Sequence, residues 1–395
     1  MATEARFDRT SDGRIWSDGS FSHSFWERYL DVFDTVGVVA RVRDVDSVPT
    51  HALPADGPGV SFSPVPYFVG PWQFAARFFQ VIRAVRGCFR AGYAVILRVP
   101  GTIGSCLEPR LRFRGHPYGV EVTGDPREVF APGSVRTVLR PFLSWWFPHG
   151  LRRQCLGACA VSYVSPRILP KRYPASPEAF STYYSSIQLT DDAFVERPAP
   201  VKTNANPYEL LLVGSLDQLY KGPDVAIDAL AENIATGLDL RLTIVGDGVY
   251  RPELEAHVSR LHLVDRVRFA GRLPAGDPVR AELDRADLFL LPSLTEGLPR
   301  ALIEAQARGL PCVATDVGGI PDLLSPEDLV QPRDPVALAR KTRDVLADPQ
   351  RRARMAARNL ETADDYRLTK LQGRRRRFYR AVLDATQRFL GGTRG

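Results

Sequence analysis

Two carboxylates eight positions apart, Glu296 and Glu304, flank a proline in the stretch EGLPRALIEAQARGLPCVATDVGG, Glu296 to Gly319. Pro299 suits the first position of a helix, where a missing N–H costs nothing, and Gly309 suits a helix end, so a helix is expected from Pro299 to about Arg308. At 1.5 Å rise per residue the two acids then stand about 10 Å apart. The exposed N–H groups at the helix start, with those of Gly297 and Leu298, make an anion site by geometry, and a diphosphate fits between the acids. A carboxylate also suits a vicinal diol, since it accepts from both hydroxyls and each charge-assisted bond contributes roughly 1.5 to 3 kcal/mol. A plainer arrangement is open to the same residues: Arg300, Glu304 and Arg308 at i, i+4 spacing could form a solvated ion-pair ladder. Against it, Ala301, Leu302, Ile303, Ala305 and Ala307 crowd the helix with apolar groups.

These residues need a scaffold. DLFLLPS, Asp287 to Ser293, is the apolar run of a strand buried on both faces of a parallel sheet, and the turn after it lies at the strand's carboxyl end, where open α/β sheets bind ligands. A second strand, Tyr208 to Val213, ends in GSLDQLYKG, Gly214 to Gly222. There the Gly214 loop lets the backbone approach a diphosphate and Lys221 puts a point charge on it, unless Lys221 is only a solvated surface charge. The helix Pro223 to Thr236, the strand Leu240 to Val245, the turn Gly246 to Gly248, the helix Pro252 to Leu261 and the strand Arg266 to Ala270 continue the alternation. The first half repeats it: helix His23 to Phe33, strand Gly37 to Arg41, strand Val60 to Val65, helix Pro71 to Phe89, strand Ala94 to Val99, helix Ile103 to Arg112, strand Gly119 to Val122 and strand Ala158 to Tyr163. Such βα alternation implies parallel, doubly wound sheets.

The spacing Glu296, seven residues, Glu304, followed by GLPCVATDVGG, resembles the signature of the retaining GT-B glycosyltransferases of family GT4. The resemblance implies an α/β protein of GT-B fold, two Rossmann-like doubly wound domains facing a central cleft. It implies that Glu296 contacts the donor sugar, that Glu304 binds the nucleotide ribose, and that Lys221 contacts the diphosphate. Where the family carries an Arg after the first Gly of the phosphate loop, this chain has Ser215. Gly271, Arg272 and Leu273 match the loop that packs against the base, and Gly19, in the turn Asp18, Gly19, Ser20, matches a loop near the donor phosphates and the acceptor, although a plain turn suits it equally. Asp322 stands where Glu is usual. Asp125, in EVTGDP beside His116, is a further catalytic candidate on the acceptor side, or a turn former before proline. The likeness is specific over Tyr208 to Leu324 and general in the first half.

The expected activity is metal-independent transfer of a sugar from a UDP- or GDP-sugar to a glycan, lipid-linked or small-molecule acceptor, with retention and with no cofactor beyond the nucleotide-sugar donor. A sugar-nucleotide epimerase of the same build and a non-catalytic nucleotide-binding protein are the alternatives. No GxGxxG follows a strand, which speaks against a nicotinamide-dependent dehydrogenase. The DxD of Asp44 and Asp46 reads as a surface turn, and no other acidic cluster suggests a metal.

Length and charge frame these readings. At 395 residues the chain implies two domains: an acceptor-side domain over 1–195, a linker over 196–207, a donor-binding domain over 208–370, and a terminal helix over 371–395 packing back on the first domain. Its apolar content of 44% and charged content of 25% are those of a soluble protein, and the absence of an apolar leader or span suggests the cytoplasm. The five cysteines, without zinc spacing, are expected to be reduced and structural. A net charge of +7 fits anionic partners. In the segment 134–157, Trp145, Trp146 and Phe147 interleave with Arg136, Arg140, Arg152 and Arg153; this suits either an interfacial helix on the anionic inner face of the plasma membrane or a core helix pair broken at Pro148. No feature indicates nucleic acid.

Overall fold

The computed structural model describes residues 1–19, 21–130, 139–202 and 207–392, which form two compact units. Unit 1 comprises Met1–Tyr184 and Gln372–Gly395; unit 2 comprises Ser185–Leu371. The expected boundary at 195 therefore falls later than the observed one. The segment after Tyr184 is tied into unit 2 by Leu368 N–H to Leu189 O (2.8 Å), Val195 N–H to Ala307 O (3.1 Å), Arg280 to Asp192 (2.9 Å) and Arg367 to Asp191 (2.7 Å). Ser20, Arg136 with the rest of 134–138, and 203–206 of the expected linker lie outside the described residues.

Unit 1 opens with a strand that the sequence reading did not anticipate, β1 (Ala2–Arg9), followed by β2 (Ile15–Ser17), α1 (His23–Leu30), β3 (Val36–Asp44), β4 (Leu53–Pro54), β5 (Val60–Pro66), α2 (Gly70–Ala76), α3 (Phe78–Gly87), β6 (Val95–Val99), α4 (Thr102–Phe113), β7 (Tyr118–Val122), α5 (Pro126–Val129), α6 (Arg140–Gly157), β8 (Ala160–Tyr163), α7 (Ile168–Arg172) and β9 (Phe180–Tyr183). The charges that hide β1 are met across the sheet, where β3 runs parallel to it: Arg43 pairs with Asp8 (2.6 Å), Arg9 with Asp44 (2.7 Å) and Arg41 with Glu4 (3.2 Å). The DxD thus has its first Asp on a strand end bound to Arg9, and Asp46 in the exposed turn beyond. The helix expected over 71–89 is broken at Arg77, whose φ of −109° and ψ of 10° leave the helical region.

The parallel strands of unit 1 run in the order β5-β3-β1-β6-β7-β8-β9. Sequence order reverses between β1 and β6, and with right-handed crossovers this puts α1 on one face and α3, α4 and α6 on the other. On the α1 face the chain's last helix packs beside it, with Tyr379 stacked on Tyr29 at 4.6 Å between ring centroids.

Unit 2 runs β10 (Tyr208–Val213), α8 (Pro223–Ala235), β11 (Leu240–Val245), α9 (Arg251–Arg260), β12 (Val267–Gly271), α10 (Asp277–Arg285), β13 (Leu288–Leu291), α11 (Arg300–Ala307), β14 (Cys312–Thr315), β15 (Leu329–Val330), α12 (Pro335–Ala347), α13 (Pro349–Asp364) and α14 (Leu368–Gly392), which belongs to unit 1 from Gln372. Its sheet is parallel throughout, in the order β12-β11-β10-β13-β14-β15, around a core of Leu210, Leu212, Leu242, Ile244, Leu288 and Leu290. Here too the order reverses, between β10 and β13.

Candidate active site

The switch point between two parallel strands is where neighbouring carboxyl ends splay apart and leave a crevice. In unit 2 those ends carry the loops that follow β10 and β13. The β10 loop closes as a single helical turn at Leu219–Lys221 and turns out through Gly222, whose φ of +70° lies in the left-handed region. A Cβ on Gly222 would stand 2.2 Å from the carbonyl oxygen of Pro292, so only glycine lets this loop press on the end of β13. Leu294 N–H donates to Tyr220 O at 2.7 Å and fixes the contact.

Lys221 is thereby delivered to Glu296. Its Nζ lies 2.5 Å from Glu296 Oε1, which also accepts from Ser293 Oγ at 2.8 Å. Both side chains are largely buried, and Gly214 packs on the lysine stem, so close that a Cβ there would meet Lys221 Cγ at 2.9 Å. From the other side the loop after β14 supports the glutamate: Gly319 N–H donates to Gly297 O at 2.8 Å, and Gly318, at φ +53°, leaves no room for a Cβ beside Glu296 O.

Helix α11 begins at Arg300, one residue later than expected, with Pro299 as its N-cap and no side chain capping it. Among the described residues the N–H groups of Gly297, Leu298 and Arg300 meet no protein acceptor. An uncapped helix start next to a lysine is suited to an anion.

Glu304, one turn into α11, is half-buried, and among the described residues its carboxylate has neither a hydrogen-bond donor nor an ion-pair partner. Burial raises its pKa, opposed by the charges of Arg300 and Arg280. The alternative ladder does not form, because Arg308 turns to Asp284 through two bonds of 2.7 and 2.8 Å. A desolvated acceptor left without a donor is a costly arrangement in a protein that binds nothing there.

The other expected site residues divide between the units. Ser215, exposed in the β10 loop, bonds to Asp217 Oδ2 at 2.8 Å. Arg272 follows β12 and is exposed. Gly19, at φ +102°, lies in unit 1 in the loop after β2, with its N–H on Ser17 Oγ at 3.2 Å. Asp125 is also in unit 1 and buried: it caps α5 through Arg127 N–H (2.9 Å), accepts from Tyr173 OH (2.6 Å) and pairs with Arg172. Those are the contacts of a turn-forming Asp. His116 bonds through Nε2 to Ala91 O at 3.0 Å.

Sequence reasoning missed Glu121, on β7. This buried carboxylate receives the hydroxyls of Tyr29 (2.9 Å), Tyr184 (2.7 Å) and Tyr379 (3.4 Å) and the guanidinium of Arg98 (3.0 Å), binding α14 into unit 1. Burial first, and then the Glu121 charge, raise the pKa of Tyr184, keeping it a neutral donor. The signal was an acid inside the apolar run YGVEV.

Each unit is a Rossmann-like sheet with its order reversed at a central pair of strands, and the pair is that of the GT-B fold. Comparison with known proteins agrees: Anabaena HepE, solved in complex with UDP, superposes with a TM-score of 0.61 over 94% of this chain and 98% of that one, at 16% identity. The family model for glycosyl transferases group 1 matches residues 196–362. Protein CapJ of Staphylococcus aureus is 27% identical over 353 residues, 89% of this chain and 88% of that protein. The 2-deoxystreptamine glucosyltransferase of Streptomyces kanamyceticus is 35% identical over 249 residues, 60% of this chain and 63% of that enzyme. Residues 196–362 thus carry the likeness to the group 1 glycosyltransferases, and the protein is an enzyme of the glycosyl-transferring class.

Proposed function

We propose that the protein transfers a sugar from a UDP- or GDP-sugar to a glycan, lipid-linked or small-molecule acceptor, without a metal and with retention of configuration. The observation that carries this reading is the Lys221–Glu296 contact of 2.5 Å beside the uncapped start of α11. The donor diphosphate lies across the free N–H groups of Gly297, Leu298 and Arg300 and draws Lys221 toward it. Glu296, released from the lysine, accepts from the sugar hydroxyls, and Glu304 accepts from the ribose diol that its empty carboxylate is shaped for. Gly214, Ser215 and Arg272 border the nucleotide.

In this reading the C1–O bond to the diphosphate breaks, the acceptor oxygen bonds to C1, and the acceptor hydroxyl's proton passes to the departing diphosphate oxygen. Charge grows on the leaving diphosphate, and Lys221 with the helix N–H groups meets that growing charge, so the transition state is favoured over the ground state. Unit 1 holds the acceptor, with Gly19 at its own switch point, Asp125 holding the neighbouring loop, and α6 offering a contact to an anionic membrane. The UDP in the HepE complex supports a nucleotide donor.

The test is a screen of UDP-, GDP- and ADP-sugars in EDTA, scoring nucleotide release with and without membrane extract. Release that requires extract supports transfer. Turnover of the donor with no acceptor points to an epimerase, and binding without any release to a non-catalytic protein.

A further inference from the structure

The helical layer of unit 1 formed by α3, α4 and α6 has an outer surface almost bare of negative charge. No Asp or Glu occurs between Asp56 and Glu108, and none between Glu128 and Glu178. The carboxylates that separate these stretches are drawn inward: Glu108 is fully buried against Arg153 (2.9 Å), Glu121 and Asp125 are buried, and Glu128 pairs with Arg172 (3.5 Å). Arg83, Arg86 and Arg90 on and after α3, and Arg152 on α6, are exposed.

Large apolar rings stand exposed among these arginines. Trp72 on α2 is 65% exposed, Phe79 on α3 84%, and Trp145 on α6 56%. On α6, Trp146 stacks with Phe142 at 5.7 Å and joins Trp145 at 6.4 Å, while Leu151 and Cys155 on the opposite side enter the core. Helix α4 packs against both α3 and α6, so α3 and α6 share one layer. Trp72, Phe79 and Trp145 all lie near the amino ends of their helices, which is the carboxyl end of the sheet, where ligands enter.

We infer that this face docks on an anionic lipid bilayer, and that α2 and α3 enter it alongside α6. Arginines around exposed rings are the pattern that settles at a headgroup boundary, the rings at headgroup depth and the guanidinium groups on lipid phosphates. The absence of exposed carboxylates over two long stretches is the matching charge pattern, since a single acid would repel the same surface. The inference rests on the membrane contact proposed for α6 and extends it to elements from an earlier part of the chain. The surface lies at the ligand-entry end of the sheet, which orients unit 1 to take an acceptor presented from the bilayer.

The test uses the full chain with vesicles of phosphatidylcholine alone and of phosphatidylcholine mixed with phosphatidylglycerol, read by co-sedimentation and tryptophan fluorescence. Binding is expected only to the anionic vesicles and weakens with added salt. The pair Arg83→Glu and Arg86→Glu lowers the partition by about 25-fold or more, since each basic residue near an anionic leaflet is worth about fivefold. The pair Trp72→Ala and Phe79→Ala lowers it by about tenfold or more, with the melting temperature of each variant unchanged. Equal binding to neutral vesicles, no binding to either, or α2–α3 variants that bind like the parent overturn the inference. So does a solution dimer that the same substitutions dissolve, which assigns the face to a second copy. Nucleotide release with soluble acceptors, measured without vesicles, keeps this outcome separate from the transferase reading.

Discussion

Lys221 and Glu296 are 75 positions apart in the chain, yet the ammonium and carboxylate meet at 2.5 Å because β10 and β13 are neighbours in the sheet. Each neutralises the other in a nearly buried position, where an unpaired charge would be expensive. The pairing also defines an exchange. In the proposed function, a diphosphate that takes the lysine frees the glutamate for hydroxyl groups, and donor binding replaces an internal ion pair instead of burying a new charge.

Lys221→Ala removes the positive charge proposed to face the leaving diphosphate. Turnover at saturating donor is expected to fall by about 10² to 10³, the scale of losing one donor to a developing anion. Steady-state assays over a donor titration check this, and an unchanged turnover number would remove Lys221 from the chemistry.

Glu304→Gln separates binding from stability. The ribose contacts proposed for Glu304 would be equal in ground and transition states, so donor KM is expected to rise with turnover nearly intact. The pH dependence follows from the raised pKa of Glu304. A carboxyl whose folded pKa exceeds its unfolded value binds more protons when folded, so its burial penalises the fold above the folded pKa and is relieved as pH falls through it. The Gln variant without ligand should therefore melt higher than the parent at neutral pH and lose that advantage in acid. The parent should lose donor affinity at a pH above that of an ordinary Glu, and the variant should not. Calorimetric melts and donor binding across pH read both.

Much of the candidate site was legible in the sequence, because Glu296, Glu304, Gly214 and Lys221 sit in two local motifs whose strand-turn-helix pattern is short-range. The Lys221–Glu296 contact was not legible, since only the sheet order brings the two motifs together. Strand β1 was hidden by its charges, which make sense only beside Arg41, Arg43 and Asp44 on β3. Glu121 was missed for the same reason: Tyr29, Arg98, Tyr184 and Tyr379 come from widely separated stretches and converge only in the folded unit.

Asp125 allows the two roles open to it to be told apart. Its carboxylate is occupied by a backbone N–H, a tyrosine hydroxyl and an arginine. Asp125→Ala strands the buried Tyr173 hydroxyl and the partly buried Arg172, and is expected to cost about 3 to 5 kcal/mol of stability. Asp125→Asn keeps the cap and should retain most of the turnover per folded molecule, measured with the folded fraction fixed by circular dichroism. A thousandfold loss in the Asn variant at an unchanged melting temperature would restore the catalytic role.

Gly318→Ala tests whether the β14 loop is what holds Glu296 in place. Two costs add at this position. The backbone has φ +53°, which a residue with a Cβ adopts at about 1 kcal/mol or more, and the added Cβ would lie 1.8 Å from Glu296 O, far inside contact distance. The β14 loop must therefore move, and the hydrogen bond from Gly319 N–H to Gly297 O moves with it. Because that bond sets the direction of the N–H groups at Gly297 and Leu298, the variant is expected to lose turnover by about tenfold or more, on the scale of a misplaced catalytic group, and to melt several degrees lower. A Gly318→Ala variant with parental turnover would show that the glutamate turn is held by Ser293 and Lys221 alone.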